Sequence, residues 1–257
     1  MDRKTKTLRE RVLDHLRVLK VPVTDEELDR LLEAVEREAL SVLAALDHLL
    51  GEQAARRLDR AISRRIAIAH FAECKTLEGF DWKFNKAITR AQYEQLATGE
   101  FIRRHANVVL VGQSGVGKSH LMQAIGQCAC ALGYRVFYTT SAQMLTELTA
   151  ALADKSLRDT LRRYANWELL IIDEFGFDRI EREDSAQAAH LFYKVIASRH
   201  QKGSTILITN VDFDAWAAYL GDAPLAMAML DRLVDGAVVI KIKGPSFRAN
   251  RSRATTT

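Results

Sequence analysis

An α/β fold built on a parallel sheet, preceded by a small all-helical unit, is what this 257-residue chain predicts. Three observations predict it. Five short β-branched runs, at residues 107–112, 135–139, 169–173, 205–209 and 237–241, alternate with helical segments, and strand–helix alternation is the pattern of a parallel sheet covered by helices. Several of those runs are apolar without alternation, as strands buried on both faces are. The first run leads straight into a glycine-rich loop, from which a helical pattern at 121–131 departs and stops at Gly133.

The elements follow in order. Residues 8–72 read as helices with no strand among them. Thr24, followed by Glu27 three positions on, is a capping box in which each side chain satisfies the other residue's backbone N–H. Leu28, Leu31, Leu32, Val35, Leu40, Leu43 and Leu46 approximate a stripe of period 3.6. A further helix over 53–71 carries Arg56, Arg57, Arg60, Arg64 and Arg65, opposed only by Asp59. Residues 74–106 link the two regions, and their alternating Phe80, Trp82 and Phe84 could pack against a sheet edge or a ligand. The expected division is a helical DNA- or partner-binding unit over 1–72, an ATPase unit over 73–250 and a basic tail over 251–257.

Composition narrows the class. With 48% hydrophobic and 27% charged residues, 13 Gly and 3 Pro, the chain is neither collagen-like nor a disordered polyampholyte. No apolar run approaches the ~20 residues of a membrane-spanning helix. The first twenty residues are charged throughout, unlike a secretory signal, so a cytoplasmic location is expected. Cys74, Cys128 and Cys130 lack the spacing and the flanking His of a zinc site and are expected to be buried thiols.

Charge is uneven. Residues 1–20 hold seven Lys/Arg against three acids, a net of +4, and residues 241–257 hold five Lys/Arg and no acid, a net of +5. Against a whole-chain +4, the residues between them carry −5. Basic ends suit a polyanion, or serve only as solubilising tails.

The loop is the sharpest signal. Gly112, Gln113, Ser114, Gly115, Val116, Gly117, Lys118 and Ser119 meet G-x-x-x-x-G-K-[ST] at every fixed position. The glycines let the backbone wrap closely and aim N–H groups at phosphates, and the following helix adds its positive end. Lys118 reaches the β- and γ-phosphates, and the Ser119 hydroxyl ligates Mg²⁺. His120 completes the candidate nucleotide-binding residues. About 55 residues on, the apolar run 169–172 ends in Asp173-Glu174. A strand ending in an acid places a carboxylate at the sheet's C-terminal edge, where ligands of such sheets bind. Asp173 would hold Mg²⁺, mainly through water, and Glu174 would polarise an attacking water as general base. At the end of the run 205–209, Asn210 either sits beside these acids, holding the water or the γ-phosphate, or merely caps the strand.

These motifs, together with Asp231-Arg232-Leu233-Val234 and Phe247-Arg248, resemble the AAA+ ATPases of the helicase-loader branch. Among them the chain is most similar to the IstB-like transposition helper ATPases of insertion sequences. The residues Lys75-Thr76-Leu77-Glu78-Gly79-Phe80-Asp81-Trp82 resemble that family's entry to the ATPase domain, and the resemblance covers about residues 60–250. It implies a five-stranded parallel P-loop core with ATP and Mg²⁺ as cofactors. It implies Asn210 as first sensor and an arginine finger supplied by a neighbouring copy, placed at Arg232, with Arg248 as the alternative or as a second sensor. A finger is needed because charge spreads over the γ-phosphoryl oxygens in the transition state and a guanidinium matches it. The family's partners imply double-stranded DNA, bound without sequence reading, a transposase of the same insertion sequence and a homo-oligomer. The alternative within the fold is a DnaC-type replicative helicase loader. Lys155, Arg158, Arg162 and Arg163, spaced i, i+3, i+7 and i+8 on one predicted helix, would form a face for DNA phosphates, or only a solvated helix face. The arginines of 53–71 are a second candidate face. The chain departs from its relatives at Gln113-Ser114, where they often carry two prolines, and at Asp235-Gly236, where they often carry histidines.

Overall fold

The computed structural model describes residues 6–177, 185–244 and 246–247, so Arg248 and the tail 251–257 lie outside the described residues. The chain divides into two compact units, Met1–Ser63 and Arg64–Thr257.

The first unit is helical: α1 (Leu8–Val18), α2 (Asp25–Glu38) and most of α3 (Val42–Ile68), which runs on past the boundary. The predicted capping box is present. Thr24 Oγ1 accepts from the Glu27 N–H at 3.2 Å and a Glu27 carboxylate oxygen accepts from the Thr24 N–H at 3.1 Å. Thr7 and Glu10 repeat the device at α1. Arg9 ties the first two helices together, with Nη1 2.9 Å from Asp25 and Nε 2.7 Å from Asp29. The leucine stripe does not hold as one face. Ala39 ends α2 in the left-handed region, at φ +49°. Leu40 therefore falls between helices, and α3 starts with a new phase that leaves Leu43 78% and Leu46 48% exposed. The helix predicted over 53–71 begins eleven residues earlier, at Val42.

In the second unit, α4 (Arg90–Ala97) and α5 (Glu100–Arg103) lead to the sheet. All five predicted runs are strands: β1 (Val108–Gly112), β2 (Val136–Thr140), β3 (Leu169–Phe175), β4 (Ser204–Thr209) and β5 (Val238–Ile242). Every pairing is parallel and the order is β2-β3-β4-β1-β5. Between the strands lie α6 (Lys118–Ala131), α7 (Ser141–Ala153), α8 (Leu157–Ala165), α9 (Ser185–Arg199), α10 (Trp216–Leu220) and α11 (Ala223–Val234).

Period-2 side-chain alternation splits the strands between two cores. Val109, Val111, Leu170, Ile172 and Leu207 face the helices α7 to α11. Val108, Leu110, Leu169, Ile171, Ile206 and Ile208 face α4, α6 and the linking segment. This double burial is why the runs are apolar without alternation. Of the three thiols only Cys130 is buried, and burial pushes it up to about 11. Cys128 is half-buried, whereas Cys74, expected to be buried, is exposed with its Sγ 3.4 Å from Gln127 Oε1. It lies in an irregular stretch just ahead of Leu77, Phe80 and Trp82, which pack on the core.

Arg199, at the end of α9, is 1% exposed. Its guanidinium donates to the carbonyls of Tyr164 (2.6 Å), Trp167 (2.8 Å) and Ser204 (2.6 Å) and to Thr205 Oγ1 (3.1 Å). The last carbonyls of a helix have no partner within it, and Arg199 fills that need at the end of α8 while tying the entries of β3 and β4 together. Burial presses its pKa down to about 9, so it remains a cation at neutral pH, held by carbonyl dipoles rather than by an acid.

Candidate functional site

Three strand ends converge at one edge of the sheet. Val111 of β1 lies opposite Thr209 of β4, and Thr209 lies opposite Phe175 of β3. Gly112, Asn210 and the pair Asp173-Glu174 therefore come out together, across neighbouring strands spaced by about 4.8 Å. The chain also reverses direction across the sheet here, since β1 leads away to the far edge at β2, whereas β4 returns past β1 to β5. Such a switch point is where open α/β sheets bind ligands.

The loop after β1 has the glycines it needs. Gly115 and Gly117 have φ of +84° and +99°, and Gly117 is the N-cap of α6. A side chain at Gly112 would run into the carbonyl of Ile242, at Gly115 into Ser246, and at Gly117 into the Phe80 ring at 2.7 Å. Lys118 is 6% exposed, and its Nζ donates back to the carbonyls of Gly112 (2.7 Å) and Gln113 (2.8 Å). A buried ammonium thus sits inside the curl of the loop at a helix N-terminus, an arrangement made for anionic oxygens. Gln113 and Ser114 are exposed, Ser119 is half-buried at the first turn of α6 and Val116 is buried in the core beneath. His120 turns away from the loop, with Nε2 3.0 Å from the Thr76 carbonyl and its ring edge-on to Phe80.

Asp173 is 2% exposed and both its carboxylate oxygens accept bonds. Oδ1 takes the Glu174 N–H at 2.7 Å and Oδ2 takes the Tyr138 hydroxyl at 2.8 Å. Glu174 is exposed. Its backbone is in the left-handed region, at φ +61°, in the register shift of β3 against β4 between Ile172 and Phe175. The extra residue of this bulge releases Glu174 from strand alternation and re-aims it at the rim, as bulges beside functional sites do. Its carbonyl accepts from Ser141 Oγ at 3.3 Å. Asn210 is exposed, and its Oδ1 approaches Gly176 so closely that a Cβ there would lie 2.5 Å from it. The Asn210 side chain thus lies against the turn that follows β3, two residues past Glu174.

The donor set fits a nucleotide with Mg²⁺. A cradle that admits only glycine, a buried ammonium, a hydroxyl at the first turn of the helix and a buried carboxylate lie at one edge. The linking segment closes one flank. Phe80 packs on the loop and on Trp82, and Phe84 meets Phe247, whose N–H donates to the Gly115 carbonyl at 2.9 Å. Of the three aromatics, Phe80 thus packs on the loop directly, Trp82 backs it, and Phe84 meets the Phe247 that bonds to the loop.

One other expectation comes out differently. Lys155 is not on the helix with the arginines: it lies in the turn before α8 with φ +66°, where a left-handed residue breaks the helical spacing. Of the rest, Arg158 and Arg162 remain exposed on α8, Arg162 lies 3.6 Å from Asp159, and Arg163 is tied back to Glu147 of α7. Arg232, on α11, is half-buried, with its guanidinium over the Tyr193 ring at 5.1 Å and Nη1 donating to the Ala228 carbonyl at 3.0 Å. Among the described residues no ion pair joins it to Asp231 or Asp235. The residues missed by sequence reasoning are Tyr138 and Ser141 as neighbours of the site. The run 135–139 carried the signal for the first, since a strand lying beside β3 could place a tyrosine near Asp173.

A family model described as IstB-like ATP binding protein matches residues 14–255. An ATP-binding protein of insertion sequence IS5376 from Geobacillus stearothermophilus is 30% identical over 246 residues, 96% of each chain. That of insertion sequence IS21 from Pseudomonas aeruginosa is 33% identical over 235 residues, 91% of this chain and 87% of the relative. Among solved structures, the DnaC helicase loader superposes with a TM-score of 0.54 at 19% identity, covering 65% of this chain and 96% of that one. The fold is thus the P-loop AAA+ core. With a family match over nearly its whole length, this chain belongs to the IstB-like ATP-binding proteins of insertion sequences.

Proposed function

We propose that this chain is an ATP-hydrolysing helper of transposition, which assembles with further copies on double-stranded DNA and delivers that DNA to the transposase of its insertion sequence. The observation that carries the reading is the convergence of the 112–120 loop, Asp173-Glu174 and Asn210 at one sheet edge. ATP binding follows from family membership, and relatives at about 30% identity are ATP-binding proteins of insertion sequences. The likeness to a helicase loader concerns the fold alone, so it does not favour the loader reading.

In this mechanism the loop backbone and Lys118 bind the β- and γ-phosphates. Ser119 and Asp173 would hold Mg²⁺, which would supply positive charge to offset that of the phosphates. Glu174, aimed at the rim by its bulge, orients a water and takes its proton, while Asn210 fixes the same water or the γ-phosphate. Gln113, Ser114 and Val116 act through the loop backbone rather than their side chains, while His120 bonds to Thr76 instead. Arg232 acts on the nucleotide of a neighbouring copy, making hydrolysis depend on assembly. Its guanidinium rests on Tyr193, and among the described residues no ion pair holds it. We expect Arg232→Ala to bind ATP like the wild type but to hydrolyse it about 10³-fold more slowly. Steady-state turnover at assembling concentrations checks this, and full turnover would move the finger to Arg248 or elsewhere.

DNA contact is assigned to the exposed Lys155, Arg158 and Arg162, with Arg163 available once released from Glu147, and to the arginines of α3. Such contacts would take phosphates without reading bases. The test is retention of duplex DNA in gels with ATP, with ADP and without nucleotide. The expected result is retention with ATP alone, falling steeply between 50 and 200 mM salt, and equal retention in all three conditions contradicts the reading.

A further inference from the structure

We propose that Tyr138 is a positioning residue for Asp173, holding the metal-bearing carboxylate in one orientation; this rests on the reading of Asp173 as the acid that holds Mg²⁺. The placement begins with strand register. β2 pairs with β3 in parallel, with Tyr138 opposite Ile171 and Thr140 opposite Asp173. Period-2 alternation then puts Tyr138, Ile171 and Asp173 on the same face of the sheet. The phenol is long enough to span the two residues along the strand, and its hydroxyl donates to Asp173 Oδ2 at 2.8 Å. A shorter side chain at 138 would end in the core.

The two bonds on Asp173 act together. The Glu174 N–H holds Oδ1 and Tyr138 holds Oδ2, so the carboxylate plane cannot turn about its last torsion. Each oxygen offers about two acceptor sites, so each keeps one for the water shell of a cation. Hydrogen bonds to an ionised acceptor are roughly twice as strong as neutral ones. The donor's chemistry also matters. A lysine or arginine at this place would compensate the carboxylate and compete with a metal, whereas a neutral phenol orients the acid and leaves its charge intact.

The donor is itself fixed. Tyr138 is 7% exposed, with its ring packed near Phe71 at a centroid separation of 6.2 Å. The residues that orient ligating carboxylates typically contribute 10- to 100-fold to metal affinity or activity.

The experiment is a fluorescence titration of the full chain with a mant-labelled ATP, in EDTA and across a Mg²⁺ series. Tyr138→Phe removes one oxygen atom and leaves the core filled. Its nucleotide affinity in EDTA is expected to match the wild type within about twofold, while the Mg²⁺ concentration giving half of the metal-dependent gain rises about tenfold or more. Asp173→Asn, titrated in parallel, reports on the underlying reading. If Asp173→Asn shifts the Mg²⁺ half-point and Tyr138→Phe does not, the role of Tyr138 is overturned and that of Asp173 stands. If neither variant shifts it, both fall. Equal weakening of Tyr138→Phe with and without Mg²⁺ would show a residue that only supports the fold, and also overturns the proposal.

Discussion

Lys118→Ala is expected to weaken ATP binding by roughly 100-fold, about 3 kcal/mol. The ammonium is already buried within the loop and bonded to two loop carbonyls at 2.7 and 2.8 Å, so it is preorganised where β- and γ-phosphate oxygens would lie. Its removal takes away the strongest charge-assisted contact and leaves those two carbonyls without their donor. Isothermal titration measures the loss directly. A thermal melt offers a second view, because ligand at 100 times its Kd stabilises a folded protein by about 2.7 kcal/mol. The wild type should melt higher when ATP is added and the variant should not. Wild-type affinity in Lys118→Ala would remove the 112–120 loop from the nucleotide site.

Replacing Glu174 with glutamine should leave ATP bound and slow its hydrolysis by about 10²- to 10⁴-fold, the usual contribution of a positioned general base. The amide keeps the shape and hydrogen-bonding reach but cannot accept the proton. Single-turnover hydrolysis separates this from any change in affinity, and unchanged turnover would take Glu174 out of its role. The backbone supplies a companion test. Glu174 sits at φ +61°, a conformation costing a non-glycine residue roughly 1–2 kcal/mol. Glycine's greater freedom in the unfolded chain offsets about 0.5–1 kcal/mol of this, so Glu174→Gly should melt about 2–4 °C higher while hydrolysing as poorly as the glutamine variant. Stability gained as function is lost is what strain held at a functional site predicts.

The motif residues were legible in the sequence because their reasons are local. A loop that curls this tightly needs left-handed backbone, which Gly115 and Gly117 supply at φ +84° and +99°. A strand covered on both faces is apolar without alternation, which is why the central runs that became β1, β3 and β4 could be read. The capping box at Thr24 and Glu27 is equally local. Other expectations failed where a single backbone residue intervened. Ala39 and Lys155, both left-handed, interrupt patterns that spacing alone continues, and so the leucine stripe and the four-residue basic face did not survive.

By itself, the sequence determined the alternating fold, the phosphate loop and the acid at the tip of the third strand. Each follows from a short stretch satisfying its own steric and hydrogen-bonding needs. Only the tertiary structure decided the strand order that gathers three strand ends at one edge, the bulge that turns Glu174 outward and the tyrosine that holds Asp173. Those depend on which strands lie side by side and in what register. Pairing of that kind joins residues far apart in the chain, and no local spacing encodes it.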